Sequence, residues 1–506
     1  MAAAARGPYH EPSAERIVNR GRARICLAVC LSLGLSGVPC SAAEEAVQSP
    51  GAKLVQQLSP APLRVQIPVV GRDVQRLVLS NGLVVYLAFD PAAPIVSLTA
   101  TFRAGTLYRG ASLPGTPEVM AQLLRLGGTS TLPSTRLADA LETLGVEAAS
   151  GTSAEALTLN LRALPEHADA ALALLADMVR HPAFQPNSLS ATRSRLLAGL
   201  RRLPETPADL LTRELARLLY PSGHPAGQAY TAADLTALRR EDLLAYYRQT
   251  VRPDNMWLSV VGNLSTATLT GRIEQLFGNW AAGEPLALTL APAAPYRPSP
   301  GVYFLAREVS QATIVLGHPG VSRTSPDRAA IEVMNAILGG NGFATRLAAR
   351  LRTRDGLTYG VSSAFLSTTP TLGLFRILFR TRSTAVPQAI TATLQEMRRL
   401  QDSLVSADEL AIAKDTLVNT FPFRFASRAA GVANLLSLEV TGERSDYYET
   451  VLPGYEVVSR EEVRRVAQQY LHPDTATILV LGDPALSVPL AEFGPVRTLS
   501  PPAGAE

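Results

Sequence analysis

The sequence predicts an α+β fold made of two homologous halves, each a sheet covered on one face by helices. Three observations carry this. After a divergent N-terminus, segments of strand period and helix period alternate along most of the 506 residues. Arg239–Asn263 (RREDLLAYYRQTVRPDNMWLSVVGN) recurs as Ser459–Asp483 (SREEVRRVAQQYLHPDTATILVLGD), setting Pro253 on Pro473, Asp254 on Asp474 and Gly262 on Gly482 without a gap. A second echo sets Glu118-Val119-Met120 against Glu332-Val333-Met334, each on a helix that ends in Gly-Gly. A repeat of roughly 220 residues is too long for a solenoid unit and marks a duplicated domain.

Taken in order, the chain begins with Arg16, Arg20, Arg22 and Arg24, followed by an uncharged run from Ile25 to Ala43 that ends in Cys40-Ser41-Ala42-Ala43. A basic start, an apolar middle and a small-residue end read as a cleaved signal peptide over 1–43, hence export, with the bacterial periplasm as destination. Gly34, Gly37 and Pro39 break the run, which is short of the ~20 apolar residues of a membrane span. Pro39 also argues against a lipid-modified Cys40. No second hydrophobic span follows, so no stable membrane span is expected after cleavage. All 3 cysteines (Cys26, Cys30, Cys40) fall inside the signal, and the mature chain then has no thiol for a disulfide, a nucleophile or a metal.

An N-terminal extension is expected over 44–71, a first half over 72–282, a Pro/Ala-rich linker over 283–300, a second half over 301–490 and a tail over 491–506. Arg76–Ala88 reads as a hairpin in which Asn81-Gly82 supplies the positive φ of a tight turn. Ile95–Ala104 reads as a strand, and Pro117–Leu126 as a helix closed by Gly127-Gly128. Each copy of the repeat is an amphipathic helix, a Pro-Asp turn and an apolar strand ending in Gly. Tyr246, Tyr247 and Trp257 are assigned to core packing, and Asp254 and Asp474 to turn initiation.

A net charge of +4, with only short Arg doublets, gives no basic face for nucleic acid. The 6 histidines (His10, His167, His181, His224, His318, His472) include no two within a helical turn, so none founds a metal site; His224 reads as a surface residue in a Pro/Gly loop. The chemistry-bearing segment is Arg346–Ser363 (RLAARLRTRDGLTYGVSS). Arg352, on a helix's last turn, and Tyr359, just past a Gly-containing turn, can converge and offer donors to one oxygen. The plainer alternative makes Arg352 a solvated helix residue and Tyr359 a half-buried strand aromatic; geometry decides. Gly339-Gly340-Asn341-Gly342 is either a substrate-binding loop beside a cleft or a helix cap and turn, and we favour the steric reading.

The motifs NGLVVYL, FRAGTLY, LGGT, YYRQTVRPDNMWLSVVGNL and RLAARLRTRDGLTYGVSS resemble the M16 (insulinase, pitrilysin, processing peptidase) family in both halves, from about Val74 to Asp483. Active members carry His-x-x-Glu-His on the first helix of the first half, plus a downstream Glu. The matching positions here are Val119, Gln122 and Leu123, and Pro182–Pro204, where the further Glu would fall, has no carboxylate. The resemblance therefore implies that this chain binds no zinc and is not active alone. It also implies that Arg352 and Tyr359 act in trans, binding the substrate carbonyl and its oxyanion at the zinc of a partner. That partner would be a zinc-motif-bearing subunit in a heterodimer or larger assembly, closed around an unfolded peptide that adds as a strand to the partner's sheet edge. The alternative is an inert M16-like scaffold or assembly subunit, or a peptide-binding protein.

Overall fold

The computed structural model describes residues 67–283, 288, 300–340, 342, 344–366 and 373–499. The expected signal peptide, all but the end of the extension, most of the linker and the last residues of the tail lie outside the described residues. Two six-stranded sheets are present. The first has β1 (Gln75–Val78), β2 (Val84–Phe89), β3 (Val96–Phe102), β4 (Glu147–Thr152), β5 (Leu157–Ala163) and β6 (Met256–Gly262) in the order β1-β2-β6-β3-β5-β4. The second has β7 (Gly301–Ala306), β8 (Gln311–Pro319), β9 (Val361–Leu366), β10 (Leu374–Arg382), β11 (Thr477–Gly482) and β12 (Val496–Thr498) in the order β12-β7-β11-β8-β10-β9.

The duplication extends to register. β6 runs parallel to β2 and antiparallel to β3, and β11 runs parallel to β7 and antiparallel to β8. Gly262 closes one strand opposite Phe89, and Gly482 closes the other opposite Ala306. Ahead of these strands the repeat forms the helices Arg240–Thr250 and Arg460–Tyr470 and the short turns Pro253–Asn255 and Pro473–Thr475.

The outer edges differ. β1 is the antiparallel hairpin partner of β2, whereas β12 lies parallel to β7, with Val496 opposite Val302. The stretch 491–506, expected as a tail, thus contributes an edge strand, and the Leu499 N–H donates to the Phe304 carbonyl at 2.8 Å. Without it the β7 edge would be left with unpaired backbone groups. In the hairpin only Gly82 takes a positive φ, +91°; Asn81 instead donates its side-chain amide to the Phe277 carbonyl at 2.7 Å and the Trp280 carbonyl at 3.0 Å. The turn is therefore a type I turn closed by a glycine bulge, pinned to a neighbouring helix.

Strand alternation sorts side chains onto two faces. Leu258 and Val260 of β6 enter the first half's own helical core, while Trp257 and Val261 face the other way. There they meet Val432, Leu436 and Val440, on the helix Arg428–Thr441 of the second half. The exchange is reciprocal: Leu479 and Leu481 of β11 pack on Leu210, Leu211, Leu215 and Leu219 of the helix Pro207–Leu219 of the first half. That helix comes so close to β8 that a Cβ on Gly317 would lie 2.6 Å from Leu215 Cδ2. Each sheet thus carries its own helices on one face and a helix from the other half on the opposite one.

Candidate functional site

The chain over Ala348–Arg354 is wound as a π-helix, wider than an α-helix, so the Asp355 N–H donates back to the Arg350 carbonyl at 3.0 Å. Gly356 then turns the chain with φ +58°. Two anchors fix the segment beyond this turn. Leu357 is buried and its carbonyl accepts the Thr381 hydroxyl of β10 at 2.6 Å, and Val361 opens β9. Between these anchors Tyr359 projects outward, 86% exposed, and the Arg352 guanidinium lies over its ring, 4.9 Å from the centroid. The pair does converge, in cation–π contact. The tyrosine is exposed and not half-buried, and the arginine rests on its aromatic face. Asp355, the nearest carboxylate in sequence, binds Arg350 at 2.7 Å and Arg354 at 3.0 Å. A guanidinium and an exposed phenolic O–H stand together here, groups of the kind that can donate to an acceptor oxygen.

The glycines support this region through packing. The N–H groups of Gly339 and Gly340 both donate to the Asn335 carbonyl, at 3.0 and 2.7 Å, and the Gly339 carbonyl accepts the Ser363 N–H of β9 at 2.7 Å. A Cβ on Gly339 would lie 2.8 Å from Leu347 Cδ1. These two glycines close the helix Arg328–Leu338. Gly342, with φ +104°, faces open space, and Asn341 lies outside the described residues.

The motif positions on the helix Thr116–Leu126 do not suit a zinc ion. Val119 and Leu123 are buried in the first half's core, 1% and 0% exposed, and offer no lone pair. The Gln122 carbonyl oxygen accepts from Arg195 Nη1 at 3.1 Å, which sets a cation against the third position. Among the described residues no group of three or more His, Cys, Asp or Glu side chains is placed to hold a metal ion.

Several groups escaped sequence reasoning. Glu118, one residue before Val119, has a buried Oε2 with no hydrogen-bond partner, and burial pushes its carboxyl above the usual range against the pull of Arg109 and Arg213. His318, which has no partner in sequence, is buried against Phe375 and meets His472: its Nε2 accepts the His472 N–H at 3.2 Å and its Nδ1 lies 2.7 Å from the Pro319 carbonyl. Burial pushes this imidazole down to about 3, so it stays neutral with its proton on Nδ1. His224, expected at the surface, is buried and stacked on Tyr220. Finally, Arg380 and Arg382 line a pocket of about 940 Å³ that also includes Tyr359. The alternation in Phe375–Arg382 (FRILFRTR) was the available signal, since it sets Arg376, Arg380 and Arg382 on one face.

Residues 84–228 match the family described as insulinase (peptidase family M16), and residues 237–417 match the peptidase M16 inactive domain. The chain is 24% identical to the uncharacterized zinc protease YmxG of Bacillus subtilis over 413 residues, covering 80% of this chain and 98% of that one. It is 22% identical to the non-peptidase homolog YmxG of Helicobacter pylori over 405 residues, covering 77% and 89%. The crystal structure of a peptidase M16 inactive domain from Pseudomonas fluorescens superposes with a TM-score of 0.72 at 25% identity, covering 81% of this chain and 98% of that one.

Proposed function

This chain belongs to peptidase family M16, and from that membership we propose that it is the non-catalytic subunit of an exported, heteromeric zinc metallopeptidase. The observation that carries the proposal is the Arg352–Tyr359 pair: a guanidinium laid on an exposed tyrosine, on a chain whose motif positions Val119 and Leu123 are packed as core. Zinc in the partner would polarise the scissile carbonyl and activate a water. Arg352 and Tyr359 would donate N–H and O–H to the carbonyl oxygen as negative charge gathers on it. Because the turn is already anchored at Leu357 and Val361, little reorganisation is needed when that charge develops. The ring also holds Arg352 in place before substrate arrives. Export rests on the basic, apolar and small-residue order of residues 1–43.

The test is to purify this chain with a zinc-motif-bearing partner and assay peptide cleavage by each alone, by both together, and with Arg352→Ala or Tyr359→Phe. Loss of a donor of this kind costs roughly 10²–10³ in rate. Full activity of the partner by itself, or an Arg352→Ala complex as fast as wild type, refutes the shared site. The second result would favour an inert scaffold, the reading to which the Helicobacter pylori relative's description as a non-peptidase homolog lends support.

A further inference from the structure

We propose that the outer face of the second sheet beside Tyr359 is a subsite for acidic side chains, so that the peptide taken by this subunit carries Asp or Glu next to the bond presented to Arg352. This rests on Arg352 and Tyr359 serving as the carbonyl-binding pair. Strand register places the arginines. Arg382 lies opposite Gln311 and Arg380 opposite Thr313 on β8, while Leu378 lies opposite Ser362 on β9. With Phe379 and Thr381 turned into the sheet's other face, Arg380 and Arg382 stand exposed on the floor of the pocket, with Tyr359 also lining it. Arg382 leans toward the Tyr359 turn, its Nη1 3.5 Å from the Gly356 carbonyl.

Charge is what distinguishes this face. Neighbouring arginines have carboxylate partners: Arg346 pairs with Glu409, and Arg350 and Arg354 share Asp355. Farther along the strand, Arg376 donates to the Thr212 hydroxyl at 3.0 Å and feels Asp209. Among the described residues no Asp or Glu lines the pocket, and neither Arg380 nor Arg382 enters an ion pair. Two uncompensated guanidiniums beside the Arg352–Tyr359 pair favour carboxylates, which they can bind bidentately, and disfavour lysine and arginine. Their i, i+2 placement separates them by roughly 7 Å, the spacing of same-side residues in an extended peptide. The fitting partner is therefore an extended segment with acidic residues at i and i+2.

Calorimetric titration of the full chain alone, with three 12-residue peptides that differ only in carrying two Glu, two Gln or two Lys at i and i+2, tests this. The Glu peptide should bind about fivefold tighter than the Gln peptide, as expected for two exposed ion pairs, with the advantage shrinking in high salt and the Lys peptide weakest. Arg380→Gln/Arg382→Gln should erase the preference, and Arg380→Glu/Arg382→Glu should invert it toward Lys, with an unchanged unfolding midpoint confirming the fold. Equal affinities for the Glu and Gln peptides, no binding of the Glu peptide, or a preference that survives Arg380→Gln/Arg382→Gln would each overturn the proposal. Failure of the shared site is separable: it would leave the acidic preference of this chain intact while Arg352→Ala did nothing to cleavage by the complex.

Discussion

Removing the Glu155 carboxylate should loosen the junction between the two halves more than any surface ion pair would. Glu155 lies between β4 and β5 of the first half, 4% exposed, and Arg323 follows β8 of the second, 8% exposed. Arg323 Nη1 donates to Glu155 at 2.5 Å, its Nη2 donates to the Thr441 carbonyl at 2.8 Å, and its Nε lies 3.6 Å from Glu443. Thr441 ends the exchanged helix Arg428–Thr441, so a single guanidinium ties the first sheet's loop to the helix that covers that sheet. Breaking a buried pair by deleting one partner costs about 3–5 kcal/mol, because a desolvated charge is stranded. Arg323 would keep Thr441 and Glu443, which places Glu155→Ala near the lower end, about 3 kcal/mol. Guanidinium chloride unfolding of the full chain measures this, with Arg323→Ala and the double variant completing a cycle. A loss under about 1 kcal/mol, or single losses that simply add in the double variant, would refute the reasoning.

Restoring the motif as Val119→His/Gln122→Glu/Leu123→His should not restore zinc, since two imidazoles would have to enter packed core with Arg195 facing the third position; stoichiometric metal in the dialysed variant would contradict this. That variant should also lose several kcal/mol of stability, of the size expected for burying polar groups without partners. Acid should weaken the fold through His318: between its unfolded value near 6.5 and its native value near 3 only the unfolded chain binds the proton. Its contribution is complete above pH 6.5 and falls by up to about 1.4 kcal/mol per pH unit below it, a slope that unfolding curves at stepped pH should show flattened in His318→Gln. Burial lowers His224 and His472 too, and they add the same sign. Tyr359→Ala should change the unfolding free energy by no more than about 0.5 kcal/mol, because an 86% exposed ring contributes little burial; a larger loss would mean the ring serves the fold.

The duplication was legible because it depends on residues whose backbone geometry is restricted. Pro253 and Pro473 fix where a helix must stop, and Gly262 and Gly482 close strands in tight surroundings: a Cβ on Gly262 would lie 2.8 Å from Val96 Cγ2, and one on Gly482 2.6 Å from Leu486 Cδ1. The exchange of helices was not legible. Pro207–Leu219 and Arg428–Thr441 each present an apolar face, and nothing local distinguishes a face meant for its own sheet from one meant for the other half's. The His318–His472 contact, the Thr381 anchor beneath Leu357 and the pairing of Val496–Thr498 with β7 likewise join positions that only the assembled fold brings together. At the candidate site the sequence named both residues, but not that one would be stacked and the other left in solvent.

That asymmetry bears on what the pair is for. Val119 occupies in the first half the helix position that Val333 occupies in the second, and both are almost wholly buried, at 1% and 0%. The helix that bears the metal in active relatives is thus packed here as its counterpart is, with Leu123 as part of the same core. Arg352 and Tyr359 took the opposite course. They lie on a turn held by buried anchors, yet the tyrosine itself adds almost nothing to the core. In the proposed assembly the pair faces a peptide outside the chain, and two uncompensated arginines beside it would set the charge that peptide should carry.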